Sequence, residues 1–92
     1  MIQSFNDEDT QQVFERGKNR RWANIAAVAR RKLLMIHGAQ VLSDLKAPPN
    51  NKLEALKGDR KGQHSIRIND QYRVCFEWKD DGPHNVEIMD YH

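Results

Sequence analysis

The sequence predicts an α+β fold in which an N-terminal strand and two helices pack on one face of an antiparallel-rich sheet. Apolar residues recur at three- and four-residue spacings between Trp22 and Ile36, which is the period of an α-helix. Beyond residue 51 apolar and polar residues alternate instead, as they do in half-buried strands. A chain of 92 residues, 38% of them hydrophobic, allows one domain with a small core. We therefore expect residues 1–92 to form a single domain.

The first two elements are predicted to be a short edge strand over residues 1–5 and a helix. Asn6 or Asp7 caps this helix, because acidic residues fill the turn that follows and the helix dipole favours them there. The helix ends near Arg16, since Gly17 readily takes the left-handed conformation of a helix stop.

The second helix carries the strongest local pattern. Its apolar stripe, widened further along the chain by three more apolar residues, consists of Trp22, Ile25, Ala29, Leu33 and Ile36, then Leu34, Val41 and Leu45. Nothing breaks the helix before Gly38, and the Pro48-Pro49 pair forbids helix beyond about Lys46. The pattern therefore predicts one long helix over residues 23–44, weakened at Gly38, and a loop over residues 47–51.

The rest of the chain is predicted to form four strands joined by polar turns. The strands cover residues 52–56, 63–68, 72–78 and 84–91, and the turns with glycine cover residues 57–62 and 80–83.

The turn between the two middle strands determines their register. A three-residue loop over residues 69–71 pairs Ile68 with Tyr72 and keeps the apolar faces of both strands on one side. In this register Arg67 lies directly opposite Arg73 on the face away from the core. Like charges so placed are destabilising unless a phosphate lies between them or both side chains splay into water. Either arrangement is compatible with the sequence.

Charge is unevenly distributed along the chain, although the net charge is only +2. Residues 16–32 contain seven basic residues and no acidic ones, whereas acidic residues dominate residues 77–92. Such a basic body suits a polyanionic partner, although a solvated helix face has the same appearance.

The composition excludes several classes of protein. No apolar run approaches the roughly 18 residues of a membrane span, and residues 1–7 lack the features of a signal peptide. A single cysteine, Cys75, excludes an internal disulfide and a multi-cysteine zinc site, and the histidine spacings match no metal motif. We therefore expect a cytoplasmic protein without a membrane segment, a metal ion or a cofactor, in which Cys75 is structural.

The C-terminal tripeptide concentrates groups that hold or transfer protons. Asp90, Tyr91 and His92 place a carboxylate, a phenol, an imidazole and an α-carboxylate within three residues. The alternative is a frayed polar tail. Because the tail directly follows a strand with apolar residues, that strand can also hold it in place.

These features together resemble the HigB branch of the RelE/ParE toxin superfamily over essentially the whole chain. The segments that carry the resemblance are the start Met1-Ile2-Gln3-Ser4-Phe5, the run Leu53-Glu54-Ala55-Leu56-Lys57-Gly58-Asp59-Arg60, Gly62 with Ser65-Ile66-Arg67, the strand Tyr72-Arg73-Val74 and the terminal Asp90-Tyr91-His92. The resemblance implies a compact, RelE-like fold and metal-independent, ribosome-dependent cleavage of mRNA. It also implies neutralisation by a helix-turn-helix antitoxin, through which alone the toxin would reach DNA. Some members of the superfamily poison DNA gyrase instead, and the terminal Tyr-His pair favours the nuclease.

The resemblance also suggests a set of catalytic residues for attack by a ribose 2′-hydroxyl on the adjacent phosphate. Arg73 and Lys57 would stabilise the developing negative charge, with Arg67 assisting. The general base would be His92, Asp90 or Glu54, and the general acid Tyr91 or His92. Contacts to RNA or the ribosome are expected from eight basic residues: Arg67, Arg60, Lys61, Arg20, Arg21, Arg30, Arg31 and Lys32.

Glu54 departs from the pattern of the family, which commonly has histidine at this position. A carboxylate is a weaker base near neutral pH than imidazole and adds negative charge beside a phosphodiester. We therefore expect a slower nuclease than is usual for the family. The two alternative functions are a gyrase-directed inhibitor and a nucleic-acid-binding module without enzymatic activity.

Overall fold

Two α-helices lie against one face of a four-stranded antiparallel sheet in residues 1–91, the part of the chain that this computed structural model describes. The helices are α1 (Glu8–Arg16) and α2 (Ala26–Gly38), and the strands are β1 (Glu54–Ala55), β2 (His64–Arg67), β3 (Tyr72–Lys79) and β4 (Gly82–Asp90). Short 3₁₀ turns cover Leu42–Lys46, Pro49–Asn51 and Gly58–Arg60. Each strand pairs with the next one along the chain, so the sheet is an antiparallel meander. The α+β prediction is confirmed.

Helix α1 begins and ends where the sequence predicts. The Asp7 side chain accepts a hydrogen bond from the Thr10 amide at 2.7 Å, which satisfies one of the free donors of the first turn. Gly17 ends the helix at φ 73°, a left-handed conformation that glycine adopts without a steric penalty.

Helix α2 is shorter than the predicted span of residues 23–44. At its start, residues 21–25 form a turn in which the Ile25 amide donates to the Trp22 carbonyl at 3.0 Å. The Asn19 side chain accepts from the Trp22 amide and stabilises this turn in place of a first helical turn. The helix therefore begins at Ala26.

The predicted weak point at Gly38 is the end of α2. Glycine loses more backbone entropy in a helix than any other residue, and Ala39 after it is extended, with ψ 135°. Val41 is 53% exposed and does not extend the apolar stripe. The chain forms only a 3₁₀ turn at Leu42–Lys46 before the proline pair. No helix among residues 1–91 is long and apolar enough to cross a membrane.

The predicted apolar stripe of α2 lies in the core. Trp22, Ile25, Ala29, Leu33 and Ile36 are all buried, together with Val13 of α1 and the inward-facing residues Ile66, Ile68, Val74, Phe76, Val86 and Ile88. Leu34 is exposed, so the stripe is narrower than predicted. The core consequently occupies the space between α2 and one face of the sheet.

The opposite face of the sheet, here called the outer face, carries polar residues in register. Ile66 pairs with Val74 and Arg67 with Arg73, as the three-residue loop predicts. One cross-strand row on the outer face joins all four strands and consists of Glu54, Ser65, Cys75 and Glu87.

The N-terminal segment runs parallel to β4 at the edge of the sheet. Phe5 forms a single bridge with Val86, and the Val86 amide donates to the Ser4 carbonyl at 3.1 Å. The segment forms this bridge rather than the regular strand predicted over residues 1–5. The pairing of β3 with β4 shifts register here, and Asn85 of β4 is at φ 53°.

Candidate active site

An open cleft of about 400 Å³ lies where β1, the Gly58–Arg60 turn and the end of β4 meet. Its lining consists of Glu54, Ala55, Leu56, Lys57, Arg60, Cys75, Met89, Asp90 and Tyr91. Four of the six predicted catalytic residues, Glu54, Lys57, Asp90 and Tyr91, therefore share one cleft. His92 lies outside the described residues.

Arg60 extends across the outer face from the turn to β4. Its Nη2 lies 2.7 Å from Glu87 Oε1 and 3.0 Å from Met89 Sδ, and its Nη1 donates to Gln63 Oε1 at 2.9 Å. Lys57 is exposed at the start of the same turn, and the Arg60 amide donates to the Lys57 carbonyl at 3.3 Å. The turn thus places two cations along one wall of the cleft.

Arg73 lies beside the cleft and is held by several hydrogen bonds. Its Nε donates to Ser65 Oγ at 2.7 Å, and its Nη2 donates to the Lys52 carbonyl at 2.6 Å. The guanidinium carbon lies 5.5 Å from the centre of the Tyr91 ring, within the range of a cation–π contact. Because the Arg73 side chain is only 12% exposed, its charge has a fixed position next to Glu54 and Tyr91.

The repulsion between the facing side chains of Arg67 and Arg73 is offset by two acidic residues. Arg67 forms an ion pair with Asp70, and Arg73 Nε lies 3.6 Å from Glu54 Oε1. Arg73 does not splay into water, and Arg67 turns toward the loop and away from the lining of the cleft. The register prediction is confirmed, but a neighbouring carboxylate takes the place of either water or a phosphate.

Glu54 lies at the edge of the cleft with its side chain 44% exposed. At this distance from Arg73, Glu54 could orient the Arg73 guanidinium through an ion pair, and it could equally act as a base. In water-exposed geometry such a pair stabilises by at most about 1 kcal/mol.

The C-terminal segment is held in place as far as the structure describes it. The Tyr91 amide donates to the Gln71 carbonyl at 2.6 Å, and Gln71 Nε2 donates to Asp90 Oδ2 at 3.3 Å. The alternative of a frayed tail is therefore wrong for Asp90 and Tyr91. The loop between β2 and β3 instead fixes both residues at the mouth of the cleft.

Cys75 lies at the floor of the cleft as a buried thiol. Burial raises its pKa from 9.0 to about 11, and the Arg60 and Arg73 cations only partly offset this effect. Such a thiol is a poor nucleophile, which agrees with a structural role.

The basic residues of α2 and the preceding turn do not form one continuous surface. Consecutive helix residues point about 100° apart, so Arg30, Arg31 and Lys32 face different directions. Arg30 Nε donates to the Phe14 carbonyl at 3.0 Å near the end of α1. Lys32 Nζ donates to Asn51 Oδ1 at 2.6 Å, and the pKa of Lys32 is lowered, mainly by burial.

The other predicted RNA contacts differ in exposure. Arg21 lies 4.7 Å from the centre of the Trp22 ring, and it also pairs with Asp9 at 3.7 Å. Arg20 and Arg31 are exposed, as is Lys61 next to the cleft. Within residues 1–91, no group of three His, Cys, Asp or Glu side chains is arranged to hold a metal ion.

Three residues that organise the cleft carry no catalytic signal in the sequence. Glu87, Asn6 and Gln71 act through contacts with residues distant in the chain. Only Glu87 could be found from the sequence, because alternation with Val86 and Ile88 places it on the outer face. Its partner, Arg60, is distant in the chain, so the sequence alone does not indicate this ion pair.

A family model described as the RelE-like toxin of the type II toxin-antitoxin system HigB matches residues 3–92. This chain belongs to the HigB-like toxin family. The family resemblance seen in the sequence is therefore confirmed, and membership of a type II system implies an antitoxin partner for this HigB-like toxin.

One named relative supports this assignment. Toxin HigB-1 of Vibrio cholerae serotype O1 is 42% identical over 82 residues, which cover 87% of this chain and 86% of the Vibrio protein. An uncharacterized protein of Haemophilus influenzae is 35% identical over 66 residues, 72% of this chain and 65% of that protein. The solved YoeB/ParE toxin from Agrobacterium tumefaciens has a TM-score of 0.54 at 20% identity, covering 98% of this chain and 99% of its own. This last likeness shows the RelE-like fold.

Proposed function

We propose that this HigB-like toxin is an endoribonuclease that cleaves mRNA on the ribosome and so inhibits translation and growth. One observation carries the proposal: a single cleft gathers the cations Lys57 and Arg60, the carboxylates Glu54 and Asp90, and the Tyr91 phenol, with Arg73 beside it. Transfer of a phosphodiester requires these kinds of group close together.

The reaction is attack by a ribose 2′-oxygen on the adjacent phosphorus. The 2′-hydroxyl loses its proton to a base, the bond from phosphorus to the 5′-oxygen breaks, and an acid protonates that oxygen. The products are a 2′,3′-cyclic phosphate and a 5′-hydroxyl end. Positive charge on Arg73 and Lys57 stabilises the phosphorane, so the reaction is proposed to need no metal ion. A preorganised donor of this kind is often worth about 3 kcal/mol.

Arg73 suits this role because its hydrogen bonds to Ser65 and Lys52 orient it before substrate binds. A charge that is already in place needs no reorganisation during the reaction. Arg60 and Lys57 extend the positive surface along the RNA backbone, and Lys61 and Arg67 flank it.

The proton transfers involve the residues at the mouth of the cleft. Glu54, Asp90 or His92 accepts the proton of the 2′-hydroxyl, and Tyr91 or His92 donates to the leaving oxygen. Because a carboxylate takes the position of the usual histidine, the proposed enzyme is slower than is typical for the family. The ribosome aligns the mRNA in the cleft. This alignment lowers the entropic cost of reaching the reactive geometry, which the few catalytic groups of the toxin could not do alone.

The partners follow from the same proposal. The toxin acts in the cytoplasm as a single domain, and a helix-turn-helix antitoxin neutralises it and provides its contact with DNA. Arg20, Arg21, Arg30, Arg31 and Lys32 are the proposed contacts with ribosomal RNA.

The decisive experiment is a translation extract with the purified toxin, followed by mapping of mRNA 5′ ends. Cuts at defined codon positions that appear only when ribosomes are present support the proposal. Ribosome binding without cuts indicates a binding module instead. Inhibition of gyrase supercoiling without mRNA cuts indicates a gyrase-directed toxin.

A further inference from the structure

An ion pair between a buried carboxylate, Glu87, and a partly exposed cation, Arg60, lies at the cleft. The Glu87 side chain is only 12% exposed, and its Oε1 lies 2.7 Å from Arg60 Nη2. Glu87 lies on the outer face of the edge strand β4, opposite Cys75 of β3. A carboxylate in such a position is costly unless charged and polar partners surround it.

Both oxygens of the Glu87 carboxylate have partners. Arg60 contacts Oε1, and the Asn6 side-chain amide donates to Oε2. Asn6 is itself fixed, since its backbone amide donates to the Val86 carbonyl at 3.0 Å. The N-terminal segment, β4 and the turn are thus joined at one carboxylate.

This carboxylate fixes the direction of the Arg60 guanidinium. Nη1 is used by Gln63 and Nη2 by Glu87, while the Arg60 side chain remains 33% exposed and lines the cleft. Arg60 lies three residues after Lys57, and its amide donates to the Lys57 carbonyl within the turn. Holding Arg60 against β4 therefore also holds the segment that carries Lys57.

We propose that Glu87 is a positioning residue, which fixes Arg60 and through it Lys57 for contact with the scissile phosphate. The inference rests on the proposed nuclease function and adds a residue to it. Asn6 supports Glu87 from the N-terminal segment. A purely structural ion pair, which only fastens the turn to the sheet, is the competing interpretation.

Glu87→Gln tests the proposal because it removes the charge and keeps the shape of the side chain. Single-turnover cleavage on programmed ribosomes, measured over a range of ribosome concentrations, gives a saturating rate and a half-saturating concentration. We expect the saturating rate to fall tenfold or more while the half-saturating concentration changes less than threefold. Asn6→Ala should give a smaller loss in the same direction.

Glu77→Gln is the matched control, since Glu77 also lies on a strand of the sheet and pairs with Lys79 at 3.6 Å, outside the cleft lining. It should change both parameters less than twofold. A wild-type saturating rate in Glu87→Gln would overturn the proposal.

A double variant separates positioning from stability. Arg60→Met leaves the Glu87 charge buried without its cation, whereas Arg60→Met with Glu87→Met replaces the pair by apolar side chains and should recover resistance to urea. The double variant should nevertheless remain as slow as Arg60→Met. Recovery of the cleavage rate together with stability would show that the pair is only structural.

Arg60 itself provides a readout that does not depend on cleavage. We expect hindered rotation of the Arg60 guanidinium in the nitrogen-15 NMR spectrum of the wild type and free rotation in Glu87→Gln. If the wild-type protein leaves mRNA intact, the proposed function fails while the NMR comparison still decides the positioning claim. Equal rotation in both proteins would contradict that claim.

Discussion

Glu54 and Arg73 interact at the position where the family resemblance leads us to expect a histidine. The Glu54 carboxylate lies 3.6 Å from the Arg73 guanidinium, and because the Glu54 side chain is 44% exposed, water screens part of their attraction. A base at this position would act on the 2′-hydroxyl, whereas a bystander would only orient Arg73. The two roles make different predictions for substitutions.

We expect Glu54→His to increase ribosome-dependent cleavage at neutral pH. Imidazole exchanges protons close to the working pH, and the substitution removes a negative charge beside the phosphate. The single-turnover cleavage rate of Glu54→His should be severalfold higher than that of the wild type, while the rate of Glu54→Ala should be lower than that of the wild type. Rates near wild type in both variants would indicate the orienting role, and loss of activity in both would make the glutamate itself the base.

Cys75 should be chemically inert in the folded protein. With its pKa raised to about 11 by burial, only about one thiol in a thousand is ionised at pH 8. Labelling with a thiol-reactive disulfide at pH 8 should be at least ~100-fold slower in the native protein than in guanidinium chloride. Rapid labelling of the native protein would contradict the burial of this thiol.

The same pKa shift makes stability depend on alkaline pH. The folded thiol keeps its proton between pH 9 and about 11, where the unfolded thiol loses it. The contribution of Cys75 to the free energy of unfolding is therefore fully present below pH 9 and is lost as the pH rises to about 11. Cys75→Ala should show a smaller decline over this range.

At the scale of elements, Asn51 organises the chain between α2 and β1. Its side chain is fully buried and donates to the Leu45 and Ala47 carbonyls at 3.2 Å each, while it accepts from Lys32. The Asn51 side chain thus provides hydrogen-bond donors for two backbone carbonyls that lie outside the α-helices and the sheet. This segment is the region in which the predicted helix ended early.

Asn51→Ala should destabilise the protein by about 2–3 kcal/mol, because it leaves buried carbonyls without donors. Urea denaturation followed by circular dichroism measures the loss. The exposed neighbour Asn50 is the matched control, and Asn50→Ala should change stability by less than about 0.5 kcal/mol. Equal stability of the two variants would show that the Asn51 contacts do not hold this segment.

The elements differ in how far the sequence predicts them, for physical reasons. Strand register followed from a single loop length, since slipping by one residue would move every side chain to the wrong face. The limits of α2 did not follow, because the Asn19 and Asn51 side chains stabilise the flanking turns through contacts that periodicity does not contain. The local pattern of apolar residues determined whether a segment became a helix or a strand. Side-chain hydrogen bonds to the flanking turns determined how long the helix is.

The candidate site shows the same division. Glu54, Lys57, Asp90 and Tyr91 were predicted together and lie in one cleft. The meander brings them together by placing the Gly58–Arg60 turn over the end of β4. Gln71, which contacts Asp90 and Tyr91, and Glu87, which contacts Arg60, were missed because hydrogen-bond partners across a fold leave no spacing in the sequence.

For the whole molecule, the exposed basic residues determine how it can approach a polyanion. Arg20 and Arg31 are exposed, whereas Arg30 and Lys32 are engaged in hydrogen bonds within the protein. Arg20 and Arg31 can therefore release counterions on binding, whereas Arg30 and Lys32 would first have to give up these hydrogen bonds.

Reversing the charge of Arg20 and Arg31 to glutamate should weaken co-sedimentation with ribosomes. The slope of log affinity against log salt should become shallower by about one for each lost phosphate contact. Reversal of the exposed residues Lys46 and Lys79 is the control, because it changes the net charge equally at positions outside the proposed surface. Indistinguishable behaviour of the two double variants would mean that Arg20 and Arg31 only solvate their surface.

We expect the charge fixed at Arg73 to drive mRNA cleavage, and the single-turnover rate of Arg73→Ala on programmed ribosomes measures its contribution. The rate should fall about 100-fold or more in a variant that still unfolds cooperatively in urea, while Lys79→Ala on the same strand keeps the wild-type rate. Wild-type cleavage by a folded Arg73→Ala protein, or a loss of activity that only follows loss of the fold, would show that this charge does not drive the reaction.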